Sequence, residues 1–118
     1  MQISVVIPHL NQPEALARCL ASLAAGARQP DEIIVVDNGS GAMPRVPAGV
    51  TLLTETTPGP GPARNLGVAH ASGDVLAFID ADCLADTDWL AAAEAAIVPQ
   101  DILGGDVRIA YAEAANLT

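Results

Sequence analysis

The chain has 118 residues, a length that fits one domain with a single hydrophobic core. Its 14 acidic and 5 basic side chains give a formal net charge of -9, and every base is an arginine. Hydrophobic residues make up 51% of the chain, too large a fraction for a disordered protein. A strongly acidic surface repels phosphate backbones and anionic lipids, which argues against nucleic acid and membrane surfaces as partners.

The sequence has no feature that directs it out of the cytoplasm. It lacks the basic segment of a signal peptide, and its apolar stretches are broken well before they reach membrane-spanning length. Cys19 and Cys83 are isolated thiols, which indicate neither a zinc site nor a disulfide framework. We therefore expect a cytoplasmic protein without a transmembrane segment. If it handles phosphates, it needs a metal ion or a well-placed arginine.

The first half of the chain alternates strand and helix. A β-branched run begins at Ile3 and is ended by Pro8, which is typical of a strand buried on both faces. Asn11 offers a helix cap, and apolar residues then recur at helical spacing up to Gly26. Two further strands are predicted, at 33–36 and 50–54.

The second half continues the alternation. A loop rich in glycine and proline leads into a helix near 63–71, and a buried strand follows at 75–79. Asp86 or Thr87 can cap a third helix, which Pro99 ends. Weaker strand candidates lie at 102–103 and 107–109.

This alternation predicts an α/β fold, Rossmann-like and three-layered, with a mostly parallel sheet between helices. We expect residues 1–118 to form a single domain. Ligands of such sheets bind at the carboxyl ends of the strands. Here those ends carry Pro8 with His9, the segment 37–40, and the segment 80–82, and their meeting at one rim is the main indication of function.

Asp80 and Asp82 follow the fourth strand with one alanine between them. Side chains at positions i and i+2 can point to the same side, so both carboxylates can reach one hard cation. Two structural alternatives remain: a turn of solvated aspartates, or a cap that Asp82 provides for the following turn.

Three other side chains at this rim have both a binding and a structural interpretation. Asp37 can accept hydrogen bonds from a base or a ribose, or it can serve only its own turn. Arg64, which we expect in the first turn of its helix, can bind a phosphate or pair with one of the two aspartates. His9 can act on a ligand as a catalyst, but a lone histidine is more often a hydrogen-bonded structural residue, and we interpret it in that way.

Four segments in this order and spacing resemble family 2 glycosyltransferases of the GT-A fold. They are Val5–Pro8 with Asn11, Ile33–Ser40, Gly61–Gly67 and Gly73–Asp82. The resemblance runs from Ile3 to about Ile109. It implies an inverting transfer of a hexosyl-type group from a UDP- or GDP-type nucleotide sugar to an acceptor that the sequence does not name.

The resemblance also implies roles at the base end of the donor site. Pro8, His9, Leu10 and Asn11 would line the base pocket, and Asp37 would bind the base. Two of these positions depart from the family pattern. Leucine stands at position 10, where the family often has an aromatic residue, and histidine stands at position 9, where a small hydroxyl residue is commoner. The identity of the base therefore stays open.

At the phosphate end, the resemblance implies that Arg64 approaches the nucleotide and that Asp80 contacts the ribose side. Asp82, with Asp80, would hold Mn²⁺ or Mg²⁺ against the diphosphate. A Lewis acid there stabilises the charge that the leaving nucleoside diphosphate gains.

The length of the chain sets an expectation about its activity. In the family, the acceptor site and the general base come from a later segment, so we expect the general base beyond Thr118. An inverting transfer needs that base, and we therefore expect a donor-binding portion with little or no activity alone. The alternative is a non-catalytic nucleotide-binding or protein-interaction module of the same fold. An exposed sheet edge would also allow a homo-oligomer.

Overall fold

Parallel strands and connecting helices alternate along the chain, as the sequence predicts. The computed structural model describes residues 2–96 and 108–111. In that part of the chain the elements are β1 (Ile3–His9), α1 (Pro13–Ala24), β2 (Glu32–Asp37), β3 (Val50–Thr54), α2 (Pro60–His70), β4 (Val75–Phe78), α3 (Trp89–Ala96) and β5 (Arg108–Tyr111).

All strand pairs are parallel, and the strand order is β3-β2-β1-β4-β5. The central strand β1 pairs with β2 from Ser4↔Glu32 to His9↔Asp37, and with β4 from Ile3↔Val75 to Val6↔Phe78. This register brings the carboxyl ends of β2, β1 and β4 side by side. The α/β Rossmann-like prediction is confirmed.

Helices cover both faces of the sheet. On one face, the larger core cluster joins β1 and β4 residues to Leu16, Leu23 and Leu90, which come from α1 and α3. On the other face, α2 contributes Ala63 to a smaller cluster built on Val6 and its neighbours. Because both faces are covered, the β-branched runs of the central strands are fully buried, as expected for a parallel sheet.

The contact between α2 and the sheet depends on Gly67. A Cβ atom added at this position would overlap Val6 Cγ1 and come within 3.4 Å of Val36 Cγ2. Glycine is therefore the residue that lets the helix lie directly on β1 and β2.

Two differences from the predicted boundaries affect the strand ends and the helix beside them. β1 continues through Pro8 to His9, because the missing N–H of proline removes one possible ladder bond without breaking the register with β2. α2 begins at Pro60 rather than near Ala63, since proline suits the first position of a helix. Arg64 consequently lies in the second turn of α2 and not in the first.

The predicted helix cap at Asn11 is also wrong. The N-cap of α1 is Gln12, and it makes no side-chain capping bond. Asn11 instead has φ 52° and directs its bonds to the loop after β2. The predicted helix end at Pro99 and the strand candidate at 102–103 lie outside the described residues.

Within the described residues, none of the helices combines the length and the apolar character needed to cross a bilayer.

Candidate functional site

A cleft of about 330 Å³ opens where β1, β2 and β4 end, beside the first turns of α2. Its volume is in the range of small-molecule sites. Six of the predicted site residues line it: Pro8, His9, Leu10, Arg64, Asp80 and Asp82. Asn11 and Asp37 do not. The predicted strand ends therefore meet at a concavity; of the two predicted residues that do not line it, Asp37 is buried and Asn11 is exposed.

The end of the cleft beyond β4 is acidic. One ligand atom from each of Asp80, Asp82 and Cys83 lies within 4.8 Å of the other two. Burial raises the pKa of the Cys83 thiol, and the neighbouring Asp82 and Asp80 carboxylates raise it further. The Cys83 side chain is buried and sulfur is a soft ligand, so the donors available to a hard cation are the exposed carboxylates of Asp80 and Asp82. Hard oxygen donors of this kind fit Mg²⁺ or Mn²⁺.

Arg64 reaches this acidic end from α2. Its Nη2 donates to Asp80 Oδ1 at 3.2 Å, and the two side chains are 34% and 57% exposed. Its Nε is buried and has no hydrogen-bond partner among the described residues. The structural pairing that the sequence allowed is therefore present. The exposed end of the guanidinium has further N–H groups that can donate to an oxygen of a ligand.

Both ring nitrogens of His9 make hydrogen bonds within the protein. Its Nε2 accepts a hydrogen bond from the backbone N–H of Gln12 at 3.0 Å, so this nitrogen carries no proton. Its Nδ1 therefore bears the hydrogen of the neutral ring and donates it to Asp37 Oδ1 at 2.9 Å. Both side chains of this pair are 1% exposed. The prediction that His9 is a hydrogen-bonded structural residue agrees with these contacts.

Both carboxylate oxygens of Asp37 accept hydrogen bonds from neighbouring groups of the protein. Oδ1 also accepts from the Ser40 hydroxyl at 2.6 Å, and Oδ2 accepts from the backbone N–H groups of Gly39 and Ser40 at 3.2 and 2.9 Å. Burial raises the pKa of this carboxyl, but the hydrogen bonds from Ser40, His9 and Gly39 outweigh it and leave the pKa below its ordinary value. The turn contacts considered for Asp37 are present. Its contact with a base stays a prediction.

Asn11 holds the same loop from the other side. Its backbone N–H donates to Ser40 Oγ at 2.8 Å, and its side-chain Oδ1 accepts from Gly41 N at 2.9 Å. These bonds join the segments that follow β1 and β2. Asn11 therefore fixes the wall of the cleft without lining it.

Sequence reasoning missed two polar residues that line the cleft, Asn38 and Gln12. Asn38 Nδ2 donates to the carbonyl oxygens of Glu55 and Thr57, each at 2.9 Å, and its Oδ1 accepts from Gly59 N at 2.8 Å. It thereby holds the loop that leads into α2. Both residues could have been found from the sequence, because each lies shortly after a predicted buried strand.

Comparison with known proteins gives a consistent result. The family model described as Glycosyl transferase family 2 matches residues 4–102. The glycosyltransferase AglE of Haloferax volcanii is 31% identical over 122 aligned positions, covering 92% of this chain and 40% of AglE. A PGL/p-HBAD biosynthesis glycosyltransferase of Mycobacterium bovis is 33% identical over 117 positions, covering 88% of this chain and 46% of its own length. The chain thus spans less than half of these relatives.

Comparison with solved structures also finds glycosyltransferases. S. aureus TarS, in its 1–349 form, superposes with a TM-score of 0.70 at 28% identity, covering 80% of this chain and 32% of TarS. The same protein in complex with UDP-GlcNAc gives 0.68 at 26% identity, covering 80% and 30%. Glucosyl-3-phosphoglycerate synthase of Mycobacterium tuberculosis, in complex with Mn²⁺, UDP and glucosyl-3-phosphoglycerate, gives 0.64 at 28% identity, covering 76% and 37%.

Proposed function

This chain belongs to glycosyl transferase family 2, and on that premise we propose that its cleft binds a nucleoside-diphosphate sugar. The observation that carries the proposal is the arrangement at one edge of the cleft. There, Arg64 is held against Asp80, and Asp82 lies beside them at the end of β4. A permanent cation next to two exposed carboxylates suits a diphosphate that arrives with a divalent ion.

The two aspartates and the arginine have different tasks in the proposed site. Asp82 and Asp80 hold Mn²⁺ or Mg²⁺, and Arg64 donates to an oxygen of the donor. When bound, the metal ion neutralises the negative charge that develops on the leaving nucleoside diphosphate. The Mn²⁺ and UDP in the mycobacterial synthase structure support this assignment for a protein of similar fold.

The opposite part of the cleft holds the nucleoside. Pro8 and the 48% exposed Leu10 offer apolar surface there. The complex of TarS with UDP-GlcNAc supports a UDP-linked hexosyl group as the donor. Contact with such surfaces orients the donor and removes water from its base.

We assign residues 1–118 to the donor-binding domain of an inverting glycosyltransferase. The acceptor site and the general base belong, in this proposal, to a segment outside residues 1–118. The greater length of the relatives supports that division, since the chain matches only 40% of AglE and 46% of the M. bovis enzyme. Sugar transfer then requires that segment.

The proposal is tested by calorimetric titration with UDP and with GDP, each with and without Mn²⁺. We expect metal-dependent binding that Asp82→Asn weakens about 10- to 100-fold, because a charged contact to the ion is lost. Asp88→Asn is the matched control, since it removes the same charge from an exposed side chain outside the cleft. No binding by UDP or GDP, or equal binding by the two variants, would contradict the proposal.

A further inference from the structure

Asp80 and Asp82 are exposed, and their own side-chain contacts hold them only weakly. Among the described residues, Asp80 Oδ1 accepts a hydrogen bond from Arg64, and Asp82 Oδ1 accepts one from the Cys83 thiol at 3.7 Å. The first bond is partly exposed to solvent, and a thiol is a weak donor. The separation of the two carboxylates therefore depends on how the backbone of residues 80–85 is held.

The chain alternates between surface and core along the start of this segment. Asp80 and Asp82 are exposed, whereas Ala81 and Cys83 are buried and belong to the larger core cluster. The backbone N–H of Cys83 donates to the carbonyl oxygen of Asp80 at 3.0 Å, which closes a turn. Both carboxylates therefore extend into solvent from a turn whose other residues are packed in the core.

Helix α1 holds this segment at two points. The Cys19 thiol donates to the carbonyl oxygen of Asp80 at 3.8 Å, and the Ser22 hydroxyl accepts from the backbone N–H of Ala85 at 2.9 Å. Cys19 and Ser22 are three positions apart on α1, so they lie on the same face of the helix. Asp82 lies in the chain between the two held points.

Ser22 makes the stronger of the two contacts, because a hydroxyl forms a better hydrogen bond than a thiol. Its own hydrogen is donated to the carbonyl oxygen of Cys19 at 2.6 Å, which fixes the orientation of the hydroxyl within its helix. The N–H of Ala85 has no other hydrogen-bond partner among the described residues. Loss of the hydroxyl would leave this half-buried N–H unpaired and release the end of the segment.

We propose that Ser22 is a positioning residue for the metal-binding pair. By fixing the backbone at Ala85, it limits how far Asp82 can move away from Asp80. This inference rests on the proposed function, in which the two aspartates hold Mn²⁺ or Mg²⁺. Ser22 does not line the cleft, so its effect on binding passes through the backbone of residues 80–85. Ligand groups that are in place before an ion arrives lose less conformational freedom when they bind it, which raises the affinity.

The experiment measures the affinity for the ion separately from the affinity for the nucleoside. The dissociation constant of UDP is measured by calorimetry over a series of Mn²⁺ concentrations, which gives the affinity of the UDP complex for the ion. Uridine is titrated without metal. We expect Ser22→Ala to weaken Mn²⁺ binding about three- to tenfold, the worth of one hydrogen bond, and to leave uridine binding unchanged.

Ser4→Ala is the matched control. The Ser4 hydroxyl lies at the opposite end of the sheet and has the same pattern of bonds, since it donates to Glu32 Oε1 at 2.7 Å and accepts from the backbone N–H of Gly73 at 2.9 Å. Ser4 is completely buried, so its substitution is expected to destabilise the fold. We expect it to leave the affinity for Mn²⁺ unchanged, which separates a loss of stability from a loss of position.

A measurement on the unsubstituted chain keeps the test decisive if Ser22→Ala does not fold. Coupling is reciprocal: if the bond between Ala85 and Ser22 supports the metal site, occupation of that site strengthens the bond. Hydrogen exchange at the Ala85 amide is therefore expected to slow about three- to tenfold more than exchange at the Gly73 amide when UDP and Mg²⁺ are added.

The outcomes separate this inference from the proposed function. If the unsubstituted chain binds neither UDP nor GDP in Mn²⁺, or binds them without dependence on the ion, the proposed function fails and this inference fails with it. If binding depends on the ion, three results would overturn the inference alone. They are an affinity for Mn²⁺ that Ser22→Ala leaves unchanged or that Ser4→Ala lowers equally, an equal loss of uridine binding in Ser22→Ala, and equal slowing of exchange at Ala85 and Gly73.

Discussion

Arg64 is the only residue with a permanent positive charge among the cleft-lining residues that the structure describes. The chain as a whole carries a formal net charge of -9, so a nucleoside diphosphate approaches against repulsion. The pair that Arg64 makes with Asp80 is about a third exposed on the arginine side and more than half exposed on the aspartate side, so it contributes little to the stability of the fold. The function of this arginine is therefore expected to lie in binding.

We predict that Arg64→Gln weakens UDP binding about tenfold, the worth of one charged hydrogen bond, and leaves the unfolding midpoint nearly unchanged. Uridine, which has no phosphates, is expected to bind both forms equally. Arg18→Gln is the control, because Arg18 is exposed on α1 and does not line the cleft. Calorimetry with the two ligands measures both effects. An equal loss for UDP and uridine would show that Arg64 shapes the cleft rather than attracts phosphate.

At the level of single residues, some contacts followed from the sequence and others did not. The pairing of Arg64 with Asp80 was one of the two roles that the sequence allowed for this arginine. The order of the elements already places the start of α2 near the end of β4, so the two opposite charges were expected to lie close together. The hydrogen bonds that His9, Asn38 and Asp37 make depend on which loops meet across the sheet. Such contacts between distant segments need the tertiary structure.

Among the elements, α2 connects the sheet to the cleft, and its position depends on Gly67. We predict that Gly67→Ala lowers the free energy of unfolding by about 1–3 kcal/mol, because the new methyl group overlaps Val6 in a filled core. The measurement is urea denaturation followed by the fluorescence of Trp89, the single tryptophan.

Val68→Ala is the control in the same helix, since Val68 is 40% exposed and belongs to neither core cluster. Its stability is expected to stay within about 0.5 kcal/mol of the parent chain, because alanine forms helix at least as well as valine and the site is at the surface. Equal destabilisation by both substitutions would mean that the close approach of Gly67 to Val6 does not determine how α2 packs.

The elements themselves were predictable where local patterns decide them. The β-branched runs locate the buried strands, and β3 was predicted with its observed bounds. The cap of α1 was missed because Asn11 directs its bonds to Ser40 and Gly41 in a distant loop. A cap motif competes with such tertiary partners, and the sequence does not show which one prevails.

For the whole molecule, the alternation of strands and helices was enough to predict a parallel α/β fold. It did not give the strand order β3-β2-β1-β4-β5, which places β1 at the centre. That order matters for function, because it brings three strand ends to one cleft and puts Asp80 and Asn38 on opposite sides of β1. It is in this cleft that we propose the nucleotide sugar binds.

The most direct test is NMR mapping of the nitrogen-15-labelled chain during titration with UDP in Mg²⁺. We predict that the amide signals that shift belong to the segments after β1, β2 and β4 and to the start of α2, including Leu10, Asn38, Arg64 and Asp82. The groove between α1 and the 45–47 loop, lined by Leu20 and Val46, is the internal comparison. Shifts concentrated in that groove, or no saturable shifts at all, would contradict the account.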